Sequence, residues 1–304
     1  MSLSLLVPSS SPKIQTDVSL AELTSYRIGG MAQWYVSITS QAELESVFDW
    51  YSKQSVPLTF LGAGSNLLVS DEGLPGLVLS TKHLRGHSFN YATGQITASA
   101  GEPLARIAWM AAKLGWKGLE WAVGIPGTVG GSVVMNAGAH KHSISDILIG
   151  ANVADESGII DSISSEDFQF SYRTSLFQTH PRMVVDATFQ LEIGYDPKIL
   201  MAETTTNLNK RKDSQPYNRP SCGSVFRNPY PQSAGWLIEA MGLKGYQIGE
   251  AQVSQRHANF IINQGKAKAA DVFRLIMHVQ EQVQRHWSIA LEPEVKMLGY
   301  FPAI

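Results

Sequence analysis

The chain has 304 residues, 44% hydrophobic and 16% charged, which is apolar enough for sizeable cores in about two domains and argues against disorder. Lys and Arg number 24 against 26 Asp and Glu, and a net charge of −2 argues against a general binder of nucleic acid or other polyanions while leaving room for a local basic stripe facing a small anionic ligand. One cysteine excludes an intrachain disulfide and any cysteine-rich metal site, which fits a reducing cytoplasm.

Residues 1–20 read as a flexible tail. A short apolar patch (Leu3, Leu5, Leu6, Val7) runs into Pro8 and Pro12 without the basic flank or the length of a signal peptide. No apolar stretch reaches the roughly 18 residues of a membrane span. Trp34–Ile38 predicts a strand, 41–51 a helix with Leu44, Val47 and Phe48 on one face, and 56–61 a strand entering a glycine turn. A further strand follows at 76–80, then a hairpin pairing 89–91 with 95–98. Leu104, Ile107, Ala108 and Ala111 predict a helix over 102–114, stopped at Gly115. Strands are expected at 147–153 and 183–191, and a polar helix from Pro197 to about Lys210. The turn-rich segment 212–220 is the best candidate for a domain junction. Beyond it come a helix at 233–241, short strands near Gln252 and at 260–262, and an amphipathic helix over 268–287. The fold class is α+β.

Two segments carry chemical signals. Leu61-Gly62-Ala63-Gly64-Ser65-Asn66 follows a strand directly, and glycines there let backbone N–H groups approach phosphate oxygens. As a Rossmann fingerprint it fails, because Leu67 stands where the third glycine belongs and no helix pattern follows. Gly124 to Gly138 holds five glycines and no charge, a composition suited to backbone wrapped around a large flat ligand. Together with Arg27-Ile28-Gly29-Gly30, these turns suggest a dinucleotide pocket outside the Rossmann class.

These segments, with Tyr172-Arg173, Gly223-Ser224-Val225-Phe226-Arg227-Asn228-Pro229 and Leu291-Glu292-Pro293-Glu294-Val295, closely resemble the UDP-N-acetylenolpyruvoylglucosamine reductase family over nearly the whole chain. The resemblance implies the FAD-binding fold of vanillyl-alcohol oxidase and p-cresol methylhydroxylase. It would occupy residues 21–195 in two lobes, about 21–85 and 86–195, followed by a UDP-sugar-binding domain at 196–304. It further implies an NADPH-dependent cytoplasmic flavoenzyme of peptidoglycan precursor synthesis, acting as a monomer on UDP-N-acetylglucosamine enolpyruvate, with neither nucleic acid nor membrane as partner.

Hydride addition to an enolpyruvyl ether drives negative charge onto the neighbouring carbon and its carboxylate, so a fixed cation and a proton donor are needed. Arg173 matches the family arginine at the carboxylate, although an isolated arginine is more often a surface ion pair. Glu294 matches the family glutamate, useful only as an acid with a raised pKa. Glu292 lies two residues away and on a strand would point the same way, so the motif and not the spacing selects Glu294. Ser224 matches the proton donor, a part for which serine is by itself a very weak acid. Cys222 has no local activating group and is expected to be inert. For FAD, held without a covalent link, the candidates are Gly62, Gly64, Ser65 and Asn66 in the first turn and Gly124, Thr128, Gly130 and Ala137 in the second. Tyr172, Arg211, Arg227 and Asn228 are the substrate candidates, the arginines belonging to a basic run suited to a diphosphate. Ala63 replaces a common family glycine and is tolerable if its φ is negative; Lys296 stands where arginine is frequent. No histidine pair has zinc-site spacing, and no metal is assigned. The rivals are a flavin oxidase of the same superfamily, which has no need of Ser224 or Glu294, and a flavin-binding protein without turnover.

Overall fold

The computed structural model describes residues 13–302. In chain order, the first lobe contains β1 (Gln15–Ser19), β2 (Met31–Ser37), α1 (Gln41–Tyr51), β3 (Leu58–Leu61), β4 (Leu67–Val69) and β5 (Leu74–Ser80). Its sheet has the order β1-β2-β5-β3, with β2, β5 and β3 parallel and α1 as the crossover between β2 and β3. Ser40 caps α1 by accepting from the Glu43 N–H. Alternation along β5 splits its side chains between two cores. Leu77 and Leu79 join α1 and the second lobe, while Val78 joins Leu20, Ala32 and Leu61.

The second lobe comprises β6 (His87–Asn90), β7 (Gln95–Ser99), α2 (Leu104–Lys113), α3 (Val129–Val134), the two-residue strands β8 (Gly138–Ala139) and β9 (His142–Ser143), β10 (Leu148–Ala154), β11 (Ile160–Ser164) and β12 (Met183–Gln190). Five strands form an antiparallel sheet, β11-β10-β12-β7-β6. Ile107, Ala108 and Ala111 of α2 and Val129 and Val133 of α3 share the main core with Ala98, Ala187 and Phe189 of that sheet.

After α4 (Pro197–Ser214), the third lobe holds α5 (Ala234–Ala240), β13 (Gln247–Ile248), β14 (Ala251–Val253), β15 (Ile261–Asn263) and α6 (Ala269–Trp287). Leu237, Ile238, Val253, Ile261, Val272, Ile276 and Val279 form its core. The lobe is stitched to the first. Tyr26, Ile28 and Leu68 enter its core, and β16 (Lys296–Leu298) pairs in parallel with β4. Asp71 of the first lobe accepts hydrogen bonds from the Ala269 and Ala270 N–H groups, capping α6 across the boundary.

Three expectations change. The apolar patch of the tail lies outside the described residues, but Gln15–Ser19 is an edge strand whose backbone pairs with β2. The helix α4 was assigned to the domain beginning at 196, yet it packs on α2 and the Glu120–Ala122 turn, with Leu200 and Thr204 buried and Asn207 bonded to the Glu120 carbonyl. The chain crosses to the third lobe only after Ser214. Finally, the second glycine segment is not loop throughout: it contains α3. The first two N–H groups of α3 donate to the Glu102 and Ala100 carbonyls, contacts invisible to local helix propensity.

Candidate active site

The two glycine turns meet across one cavity of about 610 Å³. Ser65 Oγ donates to the Pro126 carbonyl at 2.9 Å, which ties the turn after β3 to the turn before α3. A Cβ at Gly62 would lie 2.7 Å from Thr128 Oγ1, and one at Gly130 would lie 2.8 Å from the Ala100 Cβ, so both positions require glycine for closeness alone. Gly64 has φ +63° and sits against the Leu23 carbonyl. Ala63 between them is not among the residues with positive φ, so its methyl costs no backbone strain.

Opposite the turns stands a tight hairpin. Ser171 and Thr174 exchange both backbone hydrogen bonds and leave Tyr172 and Arg173 at the tip. Arg173 has φ +56°, a left-handed conformation that costs a non-glycine residue about 1 kcal/mol or more and is found at functional sites. Asn136, buried just after α3, donates to the Ser171 carbonyl at 2.9 Å and holds the hairpin in place. The guanidinium donates to the Gly138 carbonyl at 2.6 Å and lies 3.0 Å from Glu294 Oε1.

Burial pushes the Glu294 carboxyl above the usual carboxylate range, and this outweighs the opposing pull of Arg173 and Arg227. Glu292 behaves differently. It is 73% exposed and reaches only Arg227, at 3.5 Å, whereas Glu294 is 17% exposed. Between them Pro293 bridges Phe226, so the segment is not a plain strand and the two carboxylates have separate surroundings.

Ser224 lines the cavity beside Glu294, following Gly223 in a left-handed turn (φ +83°). The Glu294 N–H donates to the Val225 carbonyl at 2.7 Å, which seats the two segments side by side. Cys222 is in the wall too, buried near Tyr26, and burial pushes its thiol up to about 12. Such a thiol is not a nucleophile at neutral pH.

Of the residues expected to hold the cofactor, Gly62, Gly64, Ser65, Asn66, Thr128, Gly130 and Ala137 line this cavity. Gly124 does not. It is buried beneath the Arg211 side chain, and its carbonyl accepts from the Tyr217 hydroxyl. Among the substrate candidates, Tyr172, Arg211 and Asn228 line the cavity; Arg227 lies behind the wall, donating to the Arg173 carbonyl at 3.4 Å. Lys296, Gln178 and Arg182 line it without having been chosen from sequence. The signal for Lys296 is its place two residues after Glu294, at the start of the strand that pairs with β4. Burial and the Arg227 charge lower its ammonium below the usual lysine range. Arg173, Arg182, Arg211 and Lys296 against Glu294 as the one acidic lining residue make this a cationic pocket in a chain of slight negative charge, suited to an anionic ligand.

The comparisons with known proteins agree in order and extent. A family model for an FAD-binding domain matches residues 32–164, and one for the UDP-N-acetylenolpyruvoylglucosamine reductase C-terminal domain matches residues 215–298. The UDP-N-acetylenolpyruvoylglucosamine reductase of Synechocystis sp. is 58% identical over 95% of this chain and 92% of its own length. That of Acaryochloris marina is 52% identical over 99% of this chain and 98% of its own. The chain belongs to the UDP-N-acetylenolpyruvoylglucosamine reductase family. The crystal structure of the family's enzyme from Thermus caldophilus superposes with a TM-score of 0.79 at 32% identity, over 95% of this chain and 99% of that one. The expected FAD-binding fold with a C-terminal lobe is thereby borne out.

The residues present fit the FAD that this reductase family's domain implies. The N–H groups of Ala63, Gly64 and Ser65 donate to no acceptor among the described residues, as a phosphate-binding turn requires. Thr128 Oγ1 is buried at the junction of both turns without a hydrogen-bond partner among the described residues. The cavity volume falls within the range of cofactor sites, about 300–1,000 Å³.

Proposed function

We propose that this chain reduces the enolpyruvyl double bond of UDP-N-acetylglucosamine enolpyruvate, giving UDP-N-acetylmuramate for peptidoglycan, with NADPH as the source of electrons. The observation that carries the reading is the Arg173–Glu294 pair, which shares one cationic cavity with the glycine turns and Ser224. The two glycine turns would hold FAD, whose chemistry when bound and reduced by NADPH would be to supply the hydride.

The chain's own residues handle charge and proton. Arg173 holds the substrate carboxylate and offsets the negative charge that reduction sends onto it. A planar guanidinium fixed at two other points suits that task. Glu294 in its acid form hydrogen-bonds the same region, where an ionised carboxylate would repel the developing charge. Ser224 gives its proton to the carbon beside the carboxylate, completing addition of a hydride and a proton across the double bond, and is reprotonated from solvent. Arg211 and Lys296 meet the diphosphate, with Tyr172 and Asn228 also lining the cavity.

The same proposal makes the protein a monomer of the cytoplasm, with a small molecule as its partner and neither nucleic acid nor membrane. No helix among the described residues is long and apolar enough to cross a membrane. Light scattering of the holoenzyme would overturn the monomer on a doubled mass.

The deciding experiment is anaerobic NADPH consumption by the FAD-loaded protein. Rapid oxidation only when the sugar nucleotide is present is the expected result. A flavin that bleaches and recovers only on admitting air would replace the reading with an oxidase, and one that never bleaches would leave a binding protein. In Ser224→Ala, bleaching should persist while transfer to the sugar nucleotide fails; normal turnover would remove Ser224 from the mechanism.

A further inference from the structure

Asn66 ends the first glycine turn, and its neighbourhood is unlike that of the other turn residues. Its side-chain amide donates to the carbonyl oxygen of Glu294 at 3.1 Å, 228 residues away in sequence. Its own carbonyl accepts from the Lys296 N–H at 3.0 Å. Asn66 therefore grips the backbone on both sides of Val295, extending the β4–β16 ladder by one side-chain bond at the point where the regular pairing of Leu67 with Lys296 begins. On its other side the Glu294 N–H is taken by the Val225 carbonyl at 2.7 Å. Both amide groups flanking the Glu294 Cα are thus fixed: the Val225 carbonyl takes both N–H groups, the Val295 one at 3.4 Å, and the turn that faces the cofactor cavity holds the Glu294 carbonyl.

A second tether runs through the same turn. The Gly64 carbonyl accepts from the Ser25 N–H at 3.0 Å, and Ser25 Oγ donates to the Ser221 carbonyl at 2.7 Å, three residues before Ser224. The turn between β3 and β4 is thereby hydrogen-bonded directly to the segment that carries Glu294 and, through Ser25, to the one that carries Ser224. The second lobe reaches Glu294 through the Arg173 side chain, which is not a backbone restraint.

We infer that Asn66 is a positioning residue: through the Glu294 carbonyl it sets where the Glu294 carboxyl lies relative to Arg173, coupling the cofactor turn to the acid of the reaction. Misplacement of a reacting group by about 1 Å can cost on the order of 10²-fold in rate, so one lost backbone bond is enough to be seen. The inference rests on the proposed function for its kinetic readout and not for its spectroscopic one.

The test compares wild type with Asn66→Asp, an isosteric change that replaces the donor with an acceptor at neutral pH, and with Asn66→Ala. Each is loaded with FAD. Three quantities are read: FAD affinity, the rates of flavin reduction by NADPH and of reoxidation by the sugar nucleotide across pH, and the Glu294 titration by carboxyl carbon NMR against a Glu294→Gln blank. The expected result is reoxidation slowed about tenfold or more beyond any slowing of reduction, in protein that still holds FAD, together with a displaced Glu294 midpoint. Loss of FAD from both variants would overturn the inference and assign Asn66 to the cofactor. Equal slowing of both half-reactions, or an unmoved Glu294 midpoint, would overturn it as well. A wild type that the sugar nucleotide fails to reoxidise would sink the functional reading, while the titration would still judge Asn66.

Discussion

The Arg173 guanidinium stands 3.0 Å from Glu294 Oε1, yet burial keeps the Glu294 carboxyl above its ordinary range. The arginine thus limits the shift without cancelling it. When a substrate carboxylate occupies Arg173, its charge neutralises the cation and adds an anion nearby, and both effects push Glu294 further toward its protonated form.

The pH dependence follows from that sign. A raised pKa means Glu294 holds its proton to a higher pH than a free carboxyl and loses it as pH rises through the shifted value. The rate at which the sugar nucleotide reoxidises the reduced flavin should therefore fall along a basic limb whose midpoint lies above the usual glutamate range. Glu294→Gln should lower the rate and flatten that limb. Stopped-flow flavin absorbance across pH measures both, and an unchanged limb in the variant would assign it to another group.

Arg173→Lys keeps the charge but loses the planar fork that reaches Gly138 and Glu294 together. Flavin reduction by NADPH should survive. Reoxidation by the sugar nucleotide should slow about 10²-fold, in line with removal of one transition-state contact. Equal rates in both half-reactions would make Arg173 a scaffold residue.

Gly64→Ala should damage the cofactor turn. The residue has φ +63° and a Cβ would run into the Leu23 carbonyl, so the backbone must move. A loss of about 1–3 kcal/mol in stability is expected, with weaker FAD retention, readable as thermal unfolding of the apo and holo forms. Full retention of both would show that the turn adapts freely.

Cys222 should resist alkylation. With its thiol pushed up to about 12 by burial, the thiolate is nearly absent at pH 8. Mass spectrometry after iodoacetamide treatment should show slow modification of the native protein and rapid modification after denaturation. Fast labelling of the native state would mean that the cavity wall opens.

The division between what local sequence carries and what it does not is visible in particular elements. The helices α1, α2 and α6 lie close to where apolar spacing predicts them, because each buries one stripe on a single core and the stripe is written in consecutive turns. The strands β10 and β12 were legible for the related reason that runs of apolar and β-branched residues mark buried strands. The motifs were also sufficient to name the family, and they single out Arg173, Ser224 and Glu294, which the fold brings to one cavity. Other features depended on partners far along the chain. α3 forms despite two glycines because the Ala100 and Glu102 carbonyls accept its first N–H groups. Gln15–Ser19 is a strand because β2 supplies its hydrogen bonds. Glu292 and Glu294 differ by nothing that a two-residue spacing reveals; the fold leaves one beside Arg227 near solvent and buries the other beside Arg173. Sequence by itself determined which residue types and local elements this protein has, since those follow from side-chain chemistry and short-range periodicity. Only the tertiary structure decided which carboxylate is buried, which glycine faces the cavity and what Asn66 holds, because desolvation and hydrogen bonding are set by neighbours in space.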